Sequence, residues 1–443
     1  MSTELFHCWE HIVSAQHIRQ YYQATAESPE QELKLSVKEY TPRDKSTARP
    51  GDATIIACHG AGFFKELYEP LFDELLLATR RQKGDFRIGS IWIADMVSHG
   101  QSGTLNEGKL GLDINYDDHA RDLLHIVNVF RSRMHRPLVG IGHSMGAGQI
   151  LTLAYLHPTL FSSVVCIEPV ITRGFDFMHL GAVNIFTFRK DIWPSREDAV
   201  AAARKNVLFK GWDERVLELF FKYGFRELPT LLYPETSKAL TDFKIGMKPV
   251  TLTTTKHHEA RTYGRPAFPE RDQPLSSWQA DRSTHPDLLK TEHEKLNQPI
   301  YRPEPVTAHR NLPALRPSCN FIYGAKSPFV SNQPEGRAIK MQITGTGPGG
   351  SGGAAAGKVK EAVLSVGGHY VPLEHPKAVA EQLTSMLGES LMTWAKEEED
   401  QKARWAKLDT RDKAMMDDEW IWWIGNYYGK QKKKSGPSKR SRL

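Results

Sequence analysis

Short apolar runs bounded by Gly, Asp or Pro recur at 53–58, 90–94, 138–142, 163–167, 320–323 and 359–366. Apolar residues on both faces of a run suit a strand buried in a parallel sheet with helices on either side. The stretch 33–40 alternates instead, as an antiparallel strand with one polar face does. Helical periodicity fills the gaps at 67–78, 116–130, 147–156 and 378–394. Strand and helix alternating at this spacing predict the α/β class, with a mostly parallel, doubly wound sheet.

The alternation stops after Pro169 and resumes near Pro317. The stretch between holds helical patterns at 195–209 and 213–223 and a polar, Pro-spotted region at 256–310. Structureless loops of that length are uncommon. We therefore expect a core in two parts, 1–170 and 317–390, with 171–316 inserted after the sixth strand as a cap over the sheet's C-terminal edge. Residues 345–357 (GTGPGGSGGAAAG) lack the Lys-Ser/Thr pair of a phosphate loop and are expected to be a mobile connector. Five of the ten tryptophans lie between 391 and 428, so a helical segment at 391–429 is expected to dock on the body or on a second subunit, as in a homodimer.

Composition narrows the classes. With 443 residues, 40% hydrophobic and 25% charged, the chain is globular rather than fibrous or disordered. The net charge of +6 resides in the last residues: without the seven cations of 430–443, 51 basic residues face 52 acidic ones, a body of charge −1. A nucleic-acid-binding body is therefore not expected. No apolar run approaches the roughly 18 residues that cross a bilayer. Residues 1–13 lack the basic lead and apolar core of a signal peptide. Cys8, Cys58, Cys166 and Cys319 are far apart and mostly in apolar runs, which argues against disulfides and a zinc site. No metal or cofactor is expected.

The chemistry concentrates at Gly142-His143-Ser144-Met145-Gly146, between the strand-like PLVGI and a helical pattern. Strand, tight turn and helix are the setting of a nucleophile elbow, in which Ser144 is the nucleophile at a helix N-terminus. Its base is expected at His369, which follows the strand pattern EAVLSV and two glycines. The loop after the strand 320–323 has no carboxylate before Glu335, whereas Glu168 ends the strand before Pro169. Glu168 is accordingly assigned the acid, with Glu335 and Asp95 as alternatives, since a triad is defined by geometry rather than order. The amides of Met145 and of Ala61, in His59-Gly60-Ala61-Gly62, are expected to form the oxyanion hole. Asp95–Ser102 (DMVSHGQS) is expected to brace the site, and Asp117 and Asp118 to cap a helix.

The terminal Ser441-Arg442-Leu443 is a conservative variant of the Ser-Lys-Leu peroxisomal address, which an import receptor reads. IADMVSHGQSG, DDHARDLLHIV, VGIGHSMG, IEPVITR, KELYEPLFDELL, DIWPSRE and IYRPEP together make the chain resemble the fungal peroxisomal α/β hydrolases. Within that family it is most similar to the mycophenolic acid-CoA hydrolases, over nearly its whole length, and it also resembles yeast peroxisomal lipase. The resemblance implies an α/β-hydrolase fold, a Ser144–Glu168–His369 triad, an acyl-CoA substrate and a place in specialised-metabolite biosynthesis. The chain departs from the mycophenolate enzymes in having Glu168 for Asp and Met145 for Phe, so their acyl group is not carried over. Arg196, Arg204, Lys205, Arg261 and Arg265 are candidate contacts for CoA phosphates. Carboxylic-ester hydrolysis by the same triad and a non-catalytic binding module remain the alternatives at this point.

Overall fold

The computed structural model describes residues 2–44, 51–81, 86–174, 178–238, 240, 243, 246–288, 298–332 and 334–434. Eight strands form one sheet: β1 (Phe6–Ser14), β2 (Lys34–Pro42), β3 (Ala53–Cys58), β4 (Ile88–Ala94), β5 (Leu138–His143), β6 (Ser163–Ile167), β7 (Ser318–Gly324) and β8 (Val359–Leu364). Their order is β1-β2-β4-β3-β5-β6-β7-β8. The pairs β1–β2 and β2–β4 are antiparallel and every other pair is parallel.

Successive residues of a strand point to opposite faces, and here they enter two different cores. Ile55, Ala57, Ile91, Ile93, Val139, Ile141, Val165 and Ile167 pack on one side, with the helix Glu69–Arg81. Ile56, Cys58, Trp92, Ala94, Leu138, Val164 and Cys166 pack on the other, with the helices Tyr116–Val129 and Met145–Leu156. The central strands are buried along their whole length, which is why they read as unbroken apolar runs.

Several boundaries differ from expectation. β1 is not evident in the sequence because it is an edge strand: only Phe6 is buried, and Trp9 and Ile12 face outward among His and Glu. The helix Tyr116–Val129 is capped by Asn115, whose side chain accepts from the Asp117 amide at 2.7 Å, not by Asp117 or Asp118. The glycine-rich segment is tied down rather than mobile: Gly345 donates to the Leu312 carbonyl, Gly347 to Pro313 and Ser351 to Leu315. Its glycines permit that approach, since a Cβ on Gly350 would lie 2.4 Å from the Gly345 oxygen and 2.5 Å from that of Pro313.

Between β6 and β7 the chain forms helices Met178–Phe188, Arg196–Lys205, Glu214–Tyr223, Lys256–Tyr263 and Glu304–Asn311. It also forms two small sheets that periodicity did not reveal. One joins Ile192–Trp193, Val250–Leu252 and Phe225–Glu227; the other pairs Arg265–Pro266 with Ile300–Tyr301. Strands of two or three residues are too short to show a period. Arg265, 1% exposed, spans Asp113 and Asp287 and fastens this insertion to the loop before the Tyr116–Val129 helix.

Among the described residues, those up to Leu391 form one compact unit and those from Met392 onward a second. In the second, the helix Asp418–Lys434 carries Trp420, Ile421, Trp422, Trp423 and Tyr427, each more than half exposed. Ser441, Arg442 and Leu443 lie outside the described residues.

Candidate active site

β5 ends at His143 and a helix begins at Met145, leaving Ser144 alone to reverse the chain at φ 56°, ψ −117°. That conformation is costly for a residue with a Cβ, and such strain clusters at functional sites. The flanking glycines are dictated by contact. A Cβ on Gly142 would lie 2.4 Å from the Gly146 oxygen, and one on Gly146 would lie 2.5 Å from the Cys58 oxygen. The helix is thereby pressed against the ends of β3 and β5, and Ser144 stands at its N-terminus.

His369 follows β8, after Gly367 in a left-handed conformation (φ 72°). Its Nε2 lies 2.9 Å from Ser144 Oγ, and its Nδ1 3.3 Å from Glu168 Oε2. Glu168 is fully buried just beyond β6, at φ 50°. Its Oε1 accepts from the Gly324 amide at 2.7 Å and its Oε2 from Ser327 Oγ at 2.5 Å. The other two candidate acids are elsewhere. Asp95 accepts from the Lys65 amide and ammonium, at 2.8 and 2.7 Å, and Glu335 is exposed at the start of the helix Pro334–Ile343.

The loop after β3 supplies the third component. Its Gly60 amide donates to Tyr68 Oη and its Gly62 amide to His99 Nε2. The amides of Ala61 and Met145 donate to no acceptor among the described residues, while both residues are buried in one small cluster with Met96, Ile114 and Tyr116. Burial pushes His59 down to about 4 and holds His99 well below the ordinary imidazole value, so both are neutral braces for this loop.

The insertion closes over the same loop. Tyr263 Oη donates to the Ala61 carbonyl at 3.3 Å, and a Cβ on Gly62 would lie 2.4 Å from Glu259 Oε1. Burial pushes Glu259 up to about 7 even though Arg189 donates to it at 2.5 Å. Beside Arg189 is a cavity of about 260 Å³, walled by Trp193, Ala203, Phe209, Phe220 and Phe225.

Residues 55–382 match the family model described as the alpha/beta hydrolase family. The chain belongs to the α/β hydrolase family. It is 44% identical over 391 residues to the type I acyl-CoA thioesterase mpaH' of Penicillium brevicompactum, covering 86% of this chain and 87% of that protein. A type I acyl-CoA thioesterase of Penicillium roqueforti is 43% identical over 384 residues, or 84% and 86% of the two chains. Among solved structures, the peroxisomal alpha-beta-hydrolase Lpx1 of Saccharomyces cerevisiae superposes with a TM-score of 0.62 at 19% identity, covering 98% of this chain and 99% of that one.

In this hydrolase the structure gathers Ser144, His369, Glu168, Ala61 and Met145, all singled out from sequence. It adds residues that sequence reading passed over. His143 Nε2 lies 2.9 Å from the His369 carbonyl, and its Nδ1 2.7 Å from Tyr68 Oη. The only signal for His143 was its place inside the Gly-x-Ser-x-Gly motif. Ser327 gave no signal beyond standing in a loop that lacks a carboxylate. The candidate phosphate contacts are largely committed: Arg265 to Asp113 and Asp287, Arg204 to Glu214, and Arg196 to the carbonyls of Phe221 and Phe225.

Proposed function

We propose that this hydrolase cleaves an acyl-CoA thioester to a free acid and CoA, with Ser144 as nucleophile, His369 as general base and acid, and Glu168 as the orienting carboxylate. The observation that carries the reading is the unbroken run from Ser144 Oγ through His369 to Glu168 Oε2, beside two unclaimed buried amides. His369 takes the Ser144 proton as Oγ attacks the thioester carbonyl. The amides of Ala61 and Met145 receive the oxyanion, each worth about 3 kcal/mol of transition-state stabilisation. Glu168 keeps the Nδ1–H tautomer and stabilises the imidazolium. The tetrahedral intermediate expels CoA, whose sulfur takes the proton back from His369 and leaves that imidazole neutral; because an alkyl thiol titrates at about 8.5, the sulfur can depart before the transfer is complete. Water then attacks the acyl-enzyme, its proton passing to His369, and the acid leaves as Ser144 is restored.

The thioesters named for the fungal relatives, 43–44% identical over most of the chain, support the leaving group. A specialised acyl group from secondary metabolism is the expected substrate. We further propose a location in the peroxisomal matrix, with the import receptor reading Ser441-Arg442-Leu443. Among the described residues no helix is long and apolar enough to cross a membrane.

The test is free-thiol release from a panel of acyl-CoAs by the wild type and by Ser144→Ala. Release that disappears in the variant supports the reading. Cleavage of simple esters with no thiol release from any CoA ester overturns the substrate class and leaves an ester hydrolase.

A further inference from the structure

The loop after β7 contains no carboxylate, yet that loop and the last residue of β7 make two of the three contacts to the Glu168 carboxyl group. Glu168 leaves β6 with its amide donating to the Ile322 carbonyl of β7, and its side chain then lies along that strand's end. Oε1 is held by the Gly324 amide at 2.7 Å. Oε2 takes the Ser327 hydroxyl at 2.5 Å and faces His369 Nδ1 at 3.3 Å. Ser327 and Glu168 are both fully buried, so water does not compete for these bonds.

Resting on the catalytic reading of Ser144, His369 and Glu168, we propose that Ser327 is a positioning residue whose hydroxyl sets the rotation of the Glu168 carboxylate and presents Oε2 to His369. The terminal torsion of a glutamate is broad, so the chain itself does not choose the carboxylate plane. Two donors on different oxygens do choose it. The hydroxyl has one proton to give, and its direction is fixed because the oxygen accepts the Phe329 amide at 3.1 Å. That leaves the proton for Glu168. Phe329 stands edge-on to the His369 ring, with centroids 5.6 Å apart, and walls the same corner. The long bond to His369 is the weakest of the three contacts, so its alignment depends on the other two.

Ser327 also caps the short helix Pro328–Ser331, and the experiment separates the two roles. Glycine is tolerated at a helix N-cap whereas alanine is not, so Ser327→Gly deletes the hydroxyl with the turn preserved. Hydrogen bonds to charged groups are the stronger class, so both Ser327→Gly and Ser327→Ala should lower kcat for thiol release roughly 10- to 100-fold with KM within about two-fold. Labelling of Ser144 by a fluorophosphonate should slow in parallel. Wild-type kcat in Ser327→Gly, with only the melting temperature of Ser327→Ala reduced, would overturn the proposal and leave a cap. Thiol release that persists in Ser144→Ala would instead overturn the catalytic reading beneath it.

Discussion

His143 donates its Nε2–H to the carbonyl of His369 across 2.9 Å, and so ties the residue before Ser144 to the loop that holds His369. A carbonyl can only accept, so the proton sits on Nε2 and Nδ1 is left to accept from Tyr68 Oη at 2.7 Å. Tyr68 in turn accepts from the Gly60 amide at 2.8 Å. Burial pushes His143 down to about 3, so this connector stays neutral wherever the enzyme works. The loops after β3 and β8 are thereby registered to one another through the residue beside Ser144.

Tyr68→Phe removes the middle of that connection with little change of shape. It leaves the Gly60 amide and His143 Nδ1 without their partner, and each unsatisfied buried group costs about 1–3 kcal/mol. The expected outcome is a fall in kcat/KM of about ten-fold or more, with a lower melting temperature. Steady-state thiol release and thermal unfolding check it, and activity within about two-fold of wild type would show the connection to be incidental.

Asp95 and Glu168 should respond differently to loss of charge. Glu168→Gln leaves the shape but offers His369 an amide, and the comparable change in a serine protease costs about 10⁴ in kcat. Asp95→Asn breaks a buried pair with Lys65, whose side chains are 0% and 1% exposed, at about 3–5 kcal/mol of stability. The first variant is expected to melt near wild type and to be almost inactive. The second is expected to melt well below it. A reversal of these two phenotypes would move the acid to Asp95.

Gly142 and Gly146 carry a prediction that is purely steric. Alanine at either position would place a methyl group about 2.5 Å from a backbone oxygen that cannot rotate away. Gly148, two residues beyond Gly146 on the same helix, has nothing within 4 Å of its Cβ position. Gly142→Ala and Gly146→Ala should lose folded, active protein, and Gly148→Ala should express and turn over as wild type. Equal behaviour of the three in soluble yield and thiol release would remove the contact argument.

The legible parts of the molecule are those in which one physical constraint acts on consecutive residues. β3, β5 and β6 are buried on both faces and fed two cores, so their limits could be read within a residue from apolar runs. Ser144 and His369 were legible because strand-turn-helix and strand-loop-helix contexts mark them locally. Glu168 was reached because the usual position, in the β7 loop, offers no carboxylate. What stayed hidden depends on contacts across the fold. β1 has a polar face and a single buried side chain, and the insertion's strands are two or three residues long. Ser327, Tyr68 and His143 are ordinary residues in sequence, and only their partners give them a role.

Buried histidines make the fold sensitive to acid, and the sign can be worked out. Burial lowers His59 and His258 to about 4 and His143 to about 3, and lowers His99 well below its ordinary value near 6.5. Between about 6.5 and 4 the unfolded chain binds four protons at these sites that the folded chain refuses, so stability drains away as pH falls through that window. Buried carboxyls oppose this, Glu259 and Glu304 the most. Glu259 and Glu304 are raised by burial from near 4.5 to about 7, so the folded state takes up two protons first as pH drops from 7. Their contribution is complete by about 4.5, below which the loss at the histidines prevails. The expected melting temperature therefore changes little from pH 7 to 6, declines below 6 and declines more steeply below about 4.5. His258→Gln should make the decline shallower, and Glu259→Gln should make it begin nearer neutrality. Thermal unfolding in buffers from pH 7.5 to about 4 checks the sequence, and a melting temperature that rises on acidification would contradict it.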